Sequence, residues 1–229
     1  HHLPLAHPRP QWSEPSPALV LSPPFTARAT PVLAHGAGAG MRVAFMNTIS
    51  KDLTNHGWRV VRFEFPYMEQ KVLTGRRLLY DKMQVLLETY RSVVEAVSMH
   101  CQQPLLIGGK SMGGRIGSLL ADSLSLDHLI QGVVCLGYPF HPSRKPEPLI
   151  TGHLKSLRTP MLIVQGERDP MGGLTEVPNY DLSEQIQIRW IPDGDHSFSP
   201  RIRSGSSDDQ NLQNVVRCVD AFMADVCSG

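Results

Sequence analysis

The chain lacks most of what would point to a large or charged partner. No block of like charge appears: 22 Lys and Arg stand against 21 Asp and Glu, a formal net charge of +1. That balance excludes the basic stripe of a nucleic-acid binder and the polybasic patch of a protein drawn to anionic membranes. No apolar run approaches the ~20 residues of a membrane-spanning helix, and no signal-peptide h-region opens the chain. Cysteine is scarce. Cys101, Cys135, Cys218 and Cys227 form no C-x-x-C, and none stands at zinc-ligand spacing from a histidine. A disulfide scaffold and a structural zinc are thereby excluded, and free thiols in a reducing cytoplasm are expected. Proline is crowded at the front, where eight of the 19 fall within the first 31 residues.

What remains is the material of a globular chain: 229 residues, 41% hydrophobic and 19% charged, enough for one well-buried α/β core. His1 and His2 look like a tag remnant, so residues 1–17 are read as that remnant with a proline-rich segment, and 18–229 as one domain. From residue 31 the pattern alternates. A strand over 31–34 is followed by helical spacing at Val43, Met46, Ile49 and Leu53, ended by Gly57. A strand over 58–65 stops at Pro66, and a long amphipathic helix follows through Met83, Leu86, Tyr90, Val93 and Val97. Strand 105–108 runs into a helix over 112–122. Strands over 132–137, 161–165 and 186–191 follow, then a closing helix striped by Leu212, Val215, Val219 and Phe222. A short strand over 18–21 is also expected. Continuous apolar strands separated by helices predict a mostly parallel sheet covered on both faces.

The stretch "LLIGGKSMGGRIG" carries two motifs at once. Gly109-Lys110-Ser111 is how a phosphate-binding loop ends, but that loop needs its first glycine five residues before Gly109, and Pro104 stands there. Leu105, Leu106 and Ile107 belong to a strand, so no loop fits. The same residues form Gly109-Lys110-Ser111-Met112-Gly113, a G-x-S-x-G between a strand and a helix. There a nucleophilic serine sits on a turn so tight that small residues must flank it at two positions before and after.

Such a serine needs a base and an acid in the chain order serine, acid, histidine. His196 lies in the polar loop "PDGDHSF" after the last strand. His128 belongs to a helix-to-strand link at the wrong end of the sheet, and His141 and His153 flank a proline-rich loop. For the acid, "MLIVQGERDPMG" offers Glu167 and Asp169, with Asp169 in the turn before Pro170 the stronger candidate. Asp193 and Asp195 are too near His196 to orient its far nitrogen. The oxyanion hole needs two backbone N–H groups. Met112 supplies one, and Ala37 in His35-Gly36-Ala37-Gly38 the other, with His35 fixing that loop. Lys110, Arg76 and Arg77 are candidate substrate contacts, the two arginines in the run "YMEQKVLTGRR", read as a loop over the sheet's C-terminal edge.

Taken in order, "HGAGAG", "FEFPYM", "GGKSMGGR", "GERDP" and "DGDHSF" resemble the α/β-hydrolases, close to their dienelactone-hydrolase-like branch. They resemble in particular a compact group sharing its domain with the third subunit of the NSL histone-acetyltransferase complex and a small testis-expressed protein. The resemblance implies an α/β-hydrolase fold with little or no lid, and Ser111, Asp169 and His196 as nucleophile, acid and base. It implies a serine hydrolase acting on small ester-like substrates, without metal or organic cofactor. The alternative is a non-catalytic protein-interaction module on the same fold. Dienelactone hydrolases proper use cysteine where this chain has Ser111. A link over 138–159 holding "PFHPSRKPEP" cannot form a broad apolar lid, so a small-molecule acyl substrate is expected in an open cleft.

Overall fold

The computed structural model describes residues 20–21 and 27–228. Its strands are β1 (Val20–Leu21), β2 (Thr30–Ala34), β3 (Val61–Phe63), β4 (Leu105–Lys110), β5 (Val133–Leu136), β6 (Met161–Gly166) and β7 (Ile186–Ile191). The helices are α1 (Ala44–Asn55), α2 (Pro66–Thr74), α3 (Met83–Ser98), α4 (Met112–Leu126) and α5 (Asp208–Val226). The strands form one sheet in the order β1-β3-β2-β4-β5-β6-β7. The six strands from β2 to β7 are parallel, and β1 adds antiparallel to β3.

In β2, β4, β5 and β6 alternate residues feed two separate cores. Val32, Ile107, Val133 and Ile163 pack on the face covered by α3 and α4. Leu33, Leu106, Val134 and Leu162 pack on the face covered by α1 and α5. With both faces buried, apolar residues dominate these strands, hence their long apolar runs. Each such side chain contributes about 1.5–3 kcal/mol of burial. Edge strand β7 differs, alternating half-buried and exposed residues along most of its length. The chain leaves β2 outward to β3 and returns to β4 on the other side of β2. A crevice therefore opens between the C-terminal ends of β2 and β4, where such sheets bind ligands.

Several expectations need correction. The strand expected over 58–65 pairs only at Val61–Phe63, because β1 and β2 offer partners no further; Trp58 and Phe65 are fully buried without joining the ladder. The run "YMEQKVLTGRR" is not a loop. Pro66 stands in the first turn of α2, Gly75 caps its end with φ 66°, and Tyr67 and Met68 are its buried residues. Helix α4 continues past 122 to Leu126. Helix α5 begins earlier than its apolar stripe, at a capping box in which Ser207 and Gln210 satisfy each other's amides. Of the strand expected over 18–21, residues 18 and 19 lie outside the described residues, as does the segment 1–17. Between β5 and β6 the structure has one 3-10 turn, Leu154–Ser156, and no α-helix. Among the described residues no helix is long and apolar enough to cross a membrane, and the four cysteines are free thiols.

Tyr90 of α3 braces β4 from below the crevice. Its one hydroxyl proton is shared between the carbonyls of Val32 and Gly108, and its oxygen accepts from the Gly108 N–H at 2.7 Å. The ring packs against Phe63 and Phe65. Tyr90→Phe keeps that packing but leaves the Gly108 amide unsatisfied, at a cost of about 1–3 kcal/mol. A urea titration is expected to show a lower midpoint with an unchanged slope.

Candidate active site

Ser111 occupies the single residue between β4 and α4. Its backbone lies at φ 51°, ψ −114°, a conformation a side chain seldom adopts, and Gly109 two residues earlier sits at φ 155°. The turn presses strand and helix against β2. A side chain at Gly113 would meet the carbonyl oxygens of Ala34 and His35 at 2.6 Å, and one at Gly109 would meet that of Ala34 closer still. Space therefore demands both flanking glycines, and at Gly109 the backbone angle does so as well.

The structure brings three of the sequence-selected side chains together. His196 Nε2 lies 2.9 Å from Ser111 Oγ, and its Nδ1 lies 2.7 Å from Asp169 Oδ2. With a carboxylate facing Nδ1, that nitrogen carries the proton, and the lone pair of Nε2 faces the serine hydroxyl. The Asp169 side chain is fully buried and that of His196 only 25% exposed, so the base alone reaches solvent. Asp169 also accepts from the Met171 amide at 2.8 Å and from Gln165 Nε2 at 3.0 Å. Gln165 went unnoticed in the sequence. It is fully buried at the end of β6, and its amide also exchanges hydrogen bonds with both backbone groups of Tyr138. Its signal was there: a polar residue ending the apolar run "MLIVQG" must find partners.

The acids set aside brace the base loop instead. Glu167 accepts from the Asp193 amide at 2.8 Å, Asp193 pairs with Arg168 and Arg201, and Asp195 accepts from the amides of Ser197 and Ser199. Of the remaining histidines, His153 bonds Ser118 Oγ at 2.8 Å, His141 lies 3.3 Å from Glu176, and His128 ends α4.

The loop after β2 is held by its carbonyls. His35 Nδ1 donates to Gly36 O at 2.7 Å while its Nε2 accepts the Phe65 amide at 3.0 Å. Tyr67 of α2 donates to Ala37 O at 2.9 Å, and Lys71 to Gly38 O at 3.0 Å. Because a trans peptide opposes its C=O and N–H, tying down Gly36 O turns the Ala37 N–H the other way. Gly36 lies against Lys110 and Ser111, so this loop and the first amide of α4, that of Met112, border the same space.

The candidate substrate contacts fare differently. The Lys110 ammonium donates to the His196 carbonyl at 2.6 Å and is engaged by backbone. Arg76 and Arg77 are exposed beyond the end of α2, with the Arg76 amide on Thr74 Oγ1. Among the described residues no three His, Cys, Asp or Glu are grouped to hold a metal ion.

The family described as alpha/beta hydrolase domain matches residues 27–224. Among solved structures, a dienelactone hydrolase from Anabaena variabilis is 18% identical with a TM-score of 0.72, over 99% of this chain and 97% of that one. An α/β serine hydrolase without lid from Xanthomonas campestris is 20% identical with a TM-score of 0.65, over 92% and 88%. The esterase domain of a Rhodothermus marinus protein is 18% identical with a TM-score of 0.64, over 92% and 93%.

Burial lowers the pKa of His35 from 6.5 to about 4, and that of His153 likewise. Between those values the unfolded chain takes up protons that the folded chain refuses. Stability is therefore full above pH 6.5 and falls as the pH drops toward 4. His35→Leu is expected to lower stability at pH 7 by about 1–3 kcal/mol through the orphaned Phe65 amide. It should also reduce the further loss between pH 7 and 5, as read from denaturant midpoints at both values.

Proposed function

Because the chain belongs to the alpha/beta hydrolase domain family, we propose that it is a serine hydrolase of small ester or thioester substrates, working through an acyl-enzyme. The observation that carries this reading is the unbroken chain Ser111–His196–Asp169, at 2.9 and 2.7 Å, at the crevice between β2 and β4. In this mechanism His196 Nε2 takes the Ser111 proton as Oγ bonds the substrate carbonyl carbon. The carbonyl oxygen becomes an oxyanion facing the Met112 and Ala37 amides. Asp169 steadies the imidazolium, which then gives its proton to the leaving group. Water, deprotonated by the same imidazole, splits the acyl ester and restores Ser111. Neither metal nor organic cofactor enters any step. The serine nucleophile and the motif likeness support the group near the dienelactone-hydrolase-like branch rather than dienelactone chemistry itself. The free thiols support a reducing, cytoplasmic setting.

A second reading, a protein-interaction module on this fold, draws support from Val72, Leu73, Leu79 and Tyr80, each more than 60% exposed beside the site. A fluorophosphonate probe separates the two. Labelling of the wild type that disappears in Ser111→Ala is expected, and His196→Ala should lower turnover by about three orders of magnitude or more. A folded wild type that resists the probe would favour the module.

Substrate size follows from the link between β5 and β6. Without an α-helix there, no roof supplies apolar area to reward a long acyl chain at about 0.8 kcal/mol per methylene. Across p-nitrophenyl esters from acetate to palmitate, kcat/KM is expected not to climb past octanoate, and no jump should occur at a lipid interface.

A further inference from the structure

The lysine inside the G-x-S-x-G is the least explained residue of the site. Lys110 ends β4, one residue before Ser111, and its side chain is half-buried. It reaches across the turn to the loop after β7, where its ammonium donates to the carbonyl of His196 itself at 2.6 Å. The rings of Phe45, on α1, and Phe198, on the base loop, stack at 6.0 Å, and the ammonium lies 5.8 Å from each centroid. Gly137, just past β5, completes the enclosure. A side chain there would lie 2.9 Å from Nζ and 3.1 Å from the His196 carbonyl oxygen, so this space exists only because residue 137 has none. Elsewhere the base loop holds itself: Asp195 caps two of its amides, and Asn211 of α5 donates to the carbonyls of Pro192 and Phe198. The backbone of His196 is tied to the nucleophile's strand by Lys110.

We propose that Lys110 is a positioning residue for the base, its charge-assisted bond to the His196 carbonyl setting the imidazole at the height where Nε2 meets Ser111 Oγ. This rests on the reading of Ser111 as nucleophile and adds to it a residue that touches neither the substrate nor the reacting atoms. A charge-assisted bond inside a half-dry enclosure is stronger and shorter than a neutral one, so the same distance is less well held once the charge is gone.

The charge itself is delicately kept. Desolvation lowers the Lys110 pKa from 10.5 to about 8, against the pull of Asp169 after β6 and Asp195 in the base loop, while the Cys135 thiol on β5, held neutral by burial, faces it as well. The flank formed by α1 is the aromatic ring of Phe45, with no titrating group at the ammonium. Below about pH 8 the strut is charged; above it the amine is neutral and the hold on His196 slackens. Hydrolysis should therefore fall in mildly alkaline solution, where a serine–histidine pair alone would hold its rate.

The test compares wild type, Lys110→Met, Lys110→Arg and Ser111→Ala, with p-nitrophenyl acetate turnover and fluorophosphonate labelling rates read from about pH 6 to 9.5. Lys110→Met is expected to lose about tenfold to a hundredfold in kcat with KM within about threefold, and to lack the alkaline fall. Lys110→Arg, whose guanidinium stays charged throughout, should keep more activity than Lys110→Met and also lack the fall. A Lys110→Met protein with wild-type kcat overturns the proposal. So does one that loses activity yet keeps the wild-type alkaline limb, which would mark general damage to the fold. If Lys110→Met does not fold, the limb of Lys110→Arg decides alone: absent, it supports the strut; present, it overturns it. Turnover undiminished in Ser111→Ala would instead remove the nucleophile reading, and the strut with it.

Discussion

At Ser111 the backbone is held at φ 51°, in the one residue that separates β4 from α4. A strained non-glycine residue costs on the order of 1–3 kcal/mol and persists only where its surroundings leave no alternative. Here they leave none. The Ser111 amide bonds Leu136 O of the neighbouring strand at 3.0 Å, and the Arg115 amide returns to Ser111 O at 3.0 Å. Gly113 lies so close to the carbonyls of Ala34 and His35 that a methyl group would force β2 and α4 apart. The placing of the hydroxyl at the strand end and the direction of the first helical amides both follow from this one turn.

Around it, buried polar groups do the positioning that apolar packing cannot. Dispersion and burial hold the sheet and helices together without choosing a direction at the ångström scale. Hydrogen bonds choose. Gln165 points Asp169, Asp169 points the His196 imidazole, and Lys110 ties down the His196 carbonyl; on the other side of the crevice His35 and Tyr67 hold the carbonyls of the Gly36–Ala37 turn. Gln165, Asp169, His35 and Tyr67 are buried, so each would be costly unpaired.

Most of the fold was legible along the chain. Buried parallel strands have a signature of their own, unbroken apolar runs, and β4, β5, β6 and β7 were found within two residues of their ends. Helices α3 and α5 showed their stripes because one side faces the sheet and the other water. The elements misread were those whose limits are not local. Strand β3 ends where its neighbours stop offering partners, and α2 carries too short an apolar face to be told from a loop, with only Tyr67 and Met68 buried.

By itself the sequence determined the alternation of strand and helix, the glycine-flanked Ser111, and the order in which Ser111, Asp169 and His196 arrive. Those depend on residue type and spacing, which propensity and sterics read directly. Only the tertiary structure decided which carboxylate faces the imidazole, that Gln165 stands behind it, and that the Lys110 ammonium meets the His196 carbonyl. Spacing alone sets Asp193 and Asp195 aside, but Asp169 and Glu167 remain chemically near-equivalent on paper. What separates them is which loops the sheet brings within 3 Å of one another, a contact across 27 residues for Asp169 and His196 and 86 for Lys110 and His196. No local pattern encodes such a distance, because it is set by the packing of the whole sheet.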